Sequence, residues 1–448
     1  MEDLLAGGFA AKLVEGNGID PGLYSKWDVK RGLRNADGSG VVVGLTRVGD
    51  VQGYEAEGGE RRPIDGRLFY RGYDVEDLVG SCLAEDRFGF EETCYLLLFG
   101  RLPSRGQLAG FERLLGEKRT LPEGFIRDMV LTAPSRSIMN KLARSVLALY
   151  SYDSNPDDIS IENVLRQCVG LVACFPALIS SGYQAKRILQ EGASLHLHFP
   201  LPGRGTAENI LHLTRPNSEF TDLEAKLLDI CMMLHAEHGG GNNSSFTTHL
   251  VSSTGTDTYS AIAAAVGSLK GPKHGGANIK VIEMVNSIKG NVRDVGDRRA
   301  LRDYLIKILR GEAHDGSGLI YGLGHAVYTV SDPRALLLKR MARRLAEEKG
   351  LLDDFGLYSY IEEQGPLLCQ EIKGVKKPMP ANVDLYSGFV YKALDIPDEL
   401  ATPIFAAARI AGWCAHRIEE LAAGGMIMRP AYTCVQPRRE YTPLAERA

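Results

Sequence analysis

The chain has 448 residues, with 52 Lys and Arg against 56 Asp and Glu, for a formal charge of −4. At 44% hydrophobic and 24% charged it can bury a large core and lies outside the disordered and low-complexity classes. The near-even balance, with no block of like charge, argues against nucleic acid or an anionic membrane surface as partner, while one small anionic ligand stays open.

The N-terminus, MEDLLAGGFAAKLVEG, is acidic where a secretory leader is basic, and no unbroken apolar stretch approaches the roughly 18 residues of a membrane span. The reading is a cytoplasmic protein with no membrane segment. Eight scattered cysteines without a C-x-x-C pair read as reduced, buried thiols.

Residues 1–40 read as a helical and loop extension. Val41 to Val51, β-branched and broken by glycine, predicts a small strand, followed by a turn over the polar stretch Glu55 to Asp65. Short amphipathic helices are expected at Val75 to Ala84, Phe90 to Leu98, Gly106 to Lys118, Pro122 to Leu131 and Ser137 to Tyr150, each stopped by Gly or Pro. Leu223, Leu227, Ile230 and Leu234 form a helical stripe within Thr221 to His238, which ends at three glycines. Asp257 is a cap for Tyr259 to Leu269, and further helices are predicted from Gly275 to Ser287, Arg298 to Arg310 and Pro333 to Glu348. Asp384 reads as an N-cap for Leu385 to Leu394. Thr402 reads as the N-cap, with Pro403 at the first position, of a last helix reaching Leu421. More than a dozen helices against two or three short strands predict an all-α chain.

Six of the ten histidines, His235, His238, His249, His274, His314 and His325, lie between Leu234 and Ala326, a density that suggests a site. His235 and His238 share the spacing of a helix face, but no carboxylate-plus-His pattern completes a zinc set, so no metal is expected. His196 and His198 alternate in a segment that reads as extended, in a packed or solvated role. His238, before Gly239, is either a capping histidine or one presented into a cleft. His274 in GPKHGGAN stands near exposed backbone N–H groups, a setting that favours a neutral imidazole able to donate to a developing oxyanion. His325 sits in the glycine-rich GLGHAV. Arg409 is the one charge between Ala401 and Ala415 on a helix apolar all round, so it should meet a carboxylate, either internal or bound. No P-loop, G-x-G-x-x-G or G-x-S-x-G occurs.

The ordered motifs HAEHGGGN, GPKHGGAN, GLGHAVYTVSDPR, NVDLYSG, AARIAGWCAH and RPAY, with RLFYRGYDVEDL and FEETCYLLLFGRLP upstream, make the sequence resemble citrate synthase from Val41 to Val435. The resemblance implies an all-α, two-domain homodimer with its cleft between a large domain (41–276 and 395–448) and a small lid domain (277–394). It implies oxaloacetate and acetyl-CoA as substrates, CoA as cosubstrate only, and no permanently bound cofactor. His274 matches the donor to the enol of acetyl-CoA, Asp384 the base on its methyl group, and His325 the histidine that polarises the ketone. His238, Arg334 and Arg409 match oxaloacetate ligands, and Arg429 an arginine reaching across from the partner subunit. A thioester methyl is a weak acid, so its deprotonation needs a carboxylate and a donor on the enol oxygen together.

Two departures stand out. Gly239 follows His238 where the family often has an acidic residue, and Thr329 stands where some members place a CoA-phosphate arginine. Lys373, Lys376 and Lys377 are candidates to supply that charge, against the plainer reading of a solvated loop. The nearest rival is 2-methylcitrate synthase, which uses the same residues on propionyl-CoA. A non-catalytic relative would not need the base, and a metal-dependent hydrolase would need a ligand set that the sequence does not offer.

Overall fold

In a computed structural model, the described residues are 14, 16–57 and 60–447. Two compact units divide at Leu45 and Thr46. In the first, helix α1 (Pro21–Lys26) starts with Pro21 at its first position and Asp20 accepting from Gly22 N, and a loop closes through a bridge between Arg34 and Gly40. Residues 1–13 and 15 of the expected N-terminal extension lie outside the described residues.

The second unit opens with an antiparallel hairpin, β1 (Gly49–Glu57) and β2 (Glu60–Tyr70), to which β3 (Tyr73–Asp74) is added. The strand region therefore begins later than Val41 and runs through the polar stretch expected to be a turn. Alternation over a half-exposed ribbon does not require a continuous apolar pattern. Helices α2 (Val75–Ala84), α3 (Phe90–Phe99) and α4 (Arg105–Lys118) follow as predicted, whereas the next predicted helix shrinks to a single π-type turn at Ile126–Leu131. Helix α5 (Ile138–Leu149) is capped by Ser137.

Helix α6 (Ile161–Glu191), 31 residues long, is missed by sequence reading because Gly170, Pro176 and Gly182 punctuate it. Ser160 caps its start and Gly192, at φ +62°, its end. It is the one helix among the described residues long and apolar enough to cross a membrane, but 83% of its most apolar 18-residue window is buried within the protein. It is a core helix, and Pro176 is accommodated because neighbouring helices hold the segment from outside.

The chain continues through α7 (Thr206–Thr214), α8 (Asp222–His235), α9 (Asn243–Ser252), α10 (Thr258–Lys270), α11 (Ala277–Asn291), α12 (Arg298–Leu309) and α13 (Pro333–Lys349). Next come α14 (Leu352–Lys373), α15 (Val383–Ala393) and α16 (Ala401–Ala422). Helix α14 also escapes the sequence pattern, since Gly356, Gly365 and Pro366 interrupt it. The architecture is all-α with one small sheet.

Three capping expectations are corrected. Helix α8 ends at His235 rather than His238, α15 is capped by Asn382 rather than Asp384, and α16 begins at Ala401 behind Leu400, with Thr402 and Pro403 inside its first turn. Thr402 donates to Gly275 O instead of capping. Helix α16 is buried from Ala401 to Arg417 and packs against α3, α6, α8, α9 and α10, which makes it the central element of the core. Seven cysteines are free and buried, whereas Cys434, expected to be buried as well, is free and exposed in the C-terminal segment.

Candidate functional site

Behind α8 the chain turns through Ala236 to Gly241. The buried Tyr70 hydroxyl, on β2, donates to the carbonyls of Met233 and Glu237 at 2.9 and 3.1 Å and fixes this turn against the hairpin. Gly239 has φ +79°, and an added Cβ would stand 3.2 Å from Val51 Cγ2, so the position favours a residue without a side chain. The turn presents His238, which is buried, with no protein partner at Nε2. Burial and the charges of Arg334 and Arg409 hold it neutral, well below the usual imidazole range.

His325 lies 5.1 Å from His238, ring centre to ring centre, and stacks on Tyr328 at 4.6 Å. The N–H groups of Val327 and Tyr328 both donate to its Nδ1 at 3.0 Å, which places the ring proton on Nε2. The loop that carries it is backed by the hairpin. Thr329 Oγ1 donates to Gly53 O at 3.1 Å, and a Cβ on Gly53 or Gly66 would collide with the carbonyl of Val327 or Ser331. Thr329 is thus buried as a packing contact.

The same loop positions Asp384. Gly324 N donates to Pro380 O, Asn382 N to Gly322 O and Asn382 Nδ2 to Gly324 O, at 2.7 to 2.9 Å, so the turn before His325 and the start of α15 are stitched together. Asp384 is half-buried in the first turn of α15. Burial pushes its carboxyl up to about 6, and Arg334 and Arg409 pull the other way. An acid this close to neutrality beside two guanidiniums suits proton transfer.

Asp332 caps α13 and grips Arg334 bidentately at 3.0 and 2.8 Å, both groups being buried. Its Oδ2 also accepts from Val383 N at 3.2 Å, which ties the Arg334 helix to the Asp384 helix. Arg409 is held differently. Its Nε donates to His235 O at 2.6 Å, its guanidinium lies over Phe405, and its Nη1 has no protein partner. The internal carboxylate that sequence reading allowed as its partner is not found among the described residues. Burial lowers Arg409 to about 10.

His274, in the turn between α10 and α11, is neutral, lowered to about 4 by burial and then by Arg409. Its Nε2 lies 3.0 Å from Ser244 Oγ, which receives the indole N–H of Trp413 at 3.0 Å and donates its own proton to Asn242 Oδ1 at 2.9 Å. Burial shared with Arg334 and Arg409 connects His238, His274, His325, Arg334, Asp384 and Arg409 in one electrostatic neighbourhood.

The other histidines are elsewhere. His235 is a core residue, bonded to Cys231 O at 2.6 Å and lowered to about 3 by burial, and shares no ligand geometry with His238. His198 bonds Pro216 O, His314 stands beside Asp315 and Tyr321, and His249 pairs with His416. Lys373 is exposed at the end of α14, with its ammonium on Gly318 O, and Lys376 and Lys377 are exposed in the following loop. Arg429 is exposed in the extended C-terminal segment. A cavity of about 500 Å³ among Glu91, Glu112, Arg119 and Glu208 includes none of the candidate residues.

Sequence reading missed Ser244, Trp413, Tyr70, Asn382 and Asp332. Of these only Asp332 and Asn382 had a signal, as an Asp directly before a helix-starting proline and an Asn at a helix start. The others are brought in by contacts between distant parts of the chain.

A family model described as "Citrate synthase, C-terminal domain" matches residues 36–431. A citrate synthase of Synechocystis sp. is 34% identical over 91% of this chain and 93% of its own length, and a 2-methylcitrate synthase of Shewanella oneidensis is 31% identical over 85% and 92%. The solved ternary complex of carboxymethyl coenzyme A and oxaloacetate with citrate synthase from Thermoplasma acidophilum superposes with TM-score 0.76 at 25% identity, covering 94% of this chain and 99% of that one. Motifs, fold and relatives converge over nearly the whole length: the chain belongs to the citrate synthase family and is an acyltransferase of that type.

Proposed function

We propose that the protein condenses acetyl-CoA with oxaloacetate and hydrolyses the citryl-CoA formed to citrate and CoA. The observation that carries this reading is the pair of buried, unpartnered groups, Arg409 Nη1 and His238 Nε2, next to a carboxyl raised to about 6. A buried guanidinium without a carboxylate partner is costly unless an anion binds it. Oxaloacetate brings two carboxylates to Arg409 and to the free edge of Arg334, with the fork geometry that arginine favours.

In the reading proposed, the Ser244 hydroxyl proton turns from Asn242 Oδ1, where it rests in this structure, to His274 Nε2, which leaves the ring proton on Nδ1. That N–H donates to the thioester oxygen while Asp384 removes a methyl proton, so no free enolate charge accumulates. The enol carbon attacks the ketone carbon, and His325 Nε2–H donates to the oxygen that becomes the alkoxide. Water then cleaves the thioester and releases the CoA thiol. His325, Arg334 and Asp384 ride on segment 277–394, and His238, His274 and Arg409 on the rest, so movement of that segment as a lid would open the site to substrates and exclude water when closed. Arg429 is assigned to a partner subunit's cleft in a homodimer. Lys376 and Lys377 are assigned to the CoA phosphates, with Lys373 in the same role only if it leaves Gly318.

Thiol release from oxaloacetate with acetyl-CoA or propionyl-CoA tests the reading. Acetyl-CoA is expected to turn over faster. The relatives of both kinds keep 2-methylcitrate synthesis as the second reading, and faster turnover of propionyl-CoA would select it. No turnover with either would sink both.

Ser244→Ala is a further check on the His274 tautomer. Losing this bond is expected to lower kcat about tenfold, the worth of one net hydrogen bond of about 1.4 kcal/mol, with the KM for oxaloacetate unchanged. Equal loss in stability and in both kinetic constants would instead mark Ser244 as a packing residue.

A further inference from the structure

On the far side of Glu237 from the site just described, α9 and α16 bring three side chains together that the proposed reaction does not use. His249 Nε2 and His416 Nδ1 face each other at 3.0 Å, and Glu419 Oε2 lies 3.7 Å from the latter. All three ligand atoms lie within 4.8 Å of one another. We propose that His249, His416 and Glu419 form a site for a divalent transition cation of the zinc class, outside the reaction centre.

The outer nitrogens carry the argument. His249 Nδ1 is bonded to Glu420 Oε2 at 2.8 Å and His416 Nε2 to Glu237 Oε1 at 2.9 Å. Each imidazole is thus oriented by a carboxylate on its outer nitrogen and turns its other nitrogen to the same point. This carboxylate–histidine arrangement is the one that aligns metal-binding imidazoles. Two facing ring nitrogens can share only one proton, which a cation can replace. Zinc–nitrogen bonds of about 2.0–2.1 Å set tetrahedral ligands about 3.3 Å apart, so the rings need little movement and Glu419 a small swing.

The surroundings fit a cation. Glu237, Glu419 and Glu420 surround the point; of the cations nearby, Arg71 has its guanidinium committed to Leu97 O, and Arg409, which also acts on Glu237, has its Nε on His235 O. Gly240 places no side chain over the two rings, since a Cβ there would stand 3.6 Å from both His249 Nε2 and His416 Cε1. His416 is fully buried, whereas the Glu419 side chain is 17% exposed, which provides an entry path from solvent. Glu419 also accepts from Thr46 Oγ1 at 2.7 Å and Arg47 N at 2.6 Å. A bound ion would therefore clamp the start of this unit and, through Glu237, the turn that presents His238.

The test titrates chelator-treated full-length protein with zinc sulfate by calorimetry and with cobalt(II) by visible absorption. One ion per chain is expected, with tetrahedral nitrogen and oxygen bands for cobalt and a higher melting temperature with zinc. His249→Ala should abolish both signals while keeping thiol-release turnover. Glu419→Gln, which can still accept from Arg47 N, should weaken binding at least about tenfold and covers the case in which the alanine variant misfolds. Wild-type protein that shows no saturable binding near one equivalent overturns the proposal, as does binding unaffected by either substitution.

Discussion

Asp384→Asn is expected to reduce thiol release from acetyl-CoA and oxaloacetate by about 10²- to 10⁴-fold, the range for losing a positioned general base, with the KM for oxaloacetate little changed. The amide is close to the carboxylate in shape and keeps the backbone bond from Asp384 N to Asn382 Oδ1, so the cap of α15 survives. The wild-type acid limb should disappear as well. Only ionised Asp384 can take a proton, and burial sets its carboxyl at about 6 against the opposing charges of Arg334 and Arg409. kcat/KM should therefore climb with pH through about 6 and fall tenfold per unit below it. Bound oxaloacetate neutralises those guanidiniums, so the limb in kcat should lie at higher pH than the limb in kcat/KM. Stability separates this role from a folding defect. Because the carboxyl is raised in the folded protein, ionising it costs stability, and the cost develops between about pH 4 and about pH 6 and is complete above. Asp384→Asn should melt above the wild type at pH 8 and level with it at pH 4. A variant that keeps turnover, or that loses activity and melting temperature together at pH 8, contradicts the assignment.

Arg409→Met should separate binding from folding in the same way. Truncating one partner of a buried charge pair costs about 2–5 kcal/mol, so oxaloacetate affinity should fall about thirtyfold or more. The ligand-free protein should not suffer. Arg409 has no carboxylate partner among the described residues, its Nη1 has no protein partner, and burial lowers its pKa to about 10, so its charge is a cost to the fold. A methionine fills much of the same volume and removes that cost, but leaves His235 O without the bond from Arg409 Nε, so the variant should melt close to the wild type without ligand. Oxaloacetate should raise the melting temperature of the wild type and not of the variant. An Arg409→Met protein that unfolds yet binds oxaloacetate normally would make Arg409 a structural residue. Arg409→Lys, with charge but no fork, should fall between the two.

What could be read without coordinates was whatever depends on local pattern. Periodicity and glycine or proline punctuation located α2 to α5, α8, α10 to α13, α15 and α16 to within a few residues, because an amphipathic face with its cap is a property of neighbouring residues. The same rule failed at α6 and α14, whose internal Pro176 and Pro366 are held by packing that no local pattern records. The all-helical class, the family and the residues in its motifs were legible, as was Arg409 as the one charge on an apolar helix. Tertiary structure alone decided how these groups are tuned and linked. The two N–H bonds to His325 Nδ1 fix its tautomer, Ser244 and Trp413 back His274, and Asp332 joins Arg334 to the start of α15. The meeting of His249 with His416 and Glu419, 167 and 170 positions apart in the chain, follows from the packing of α9 on α16. Sequence determines which groups are available, while desolvation, tautomer and charge depend on neighbours that only folding brings within a few ångströms.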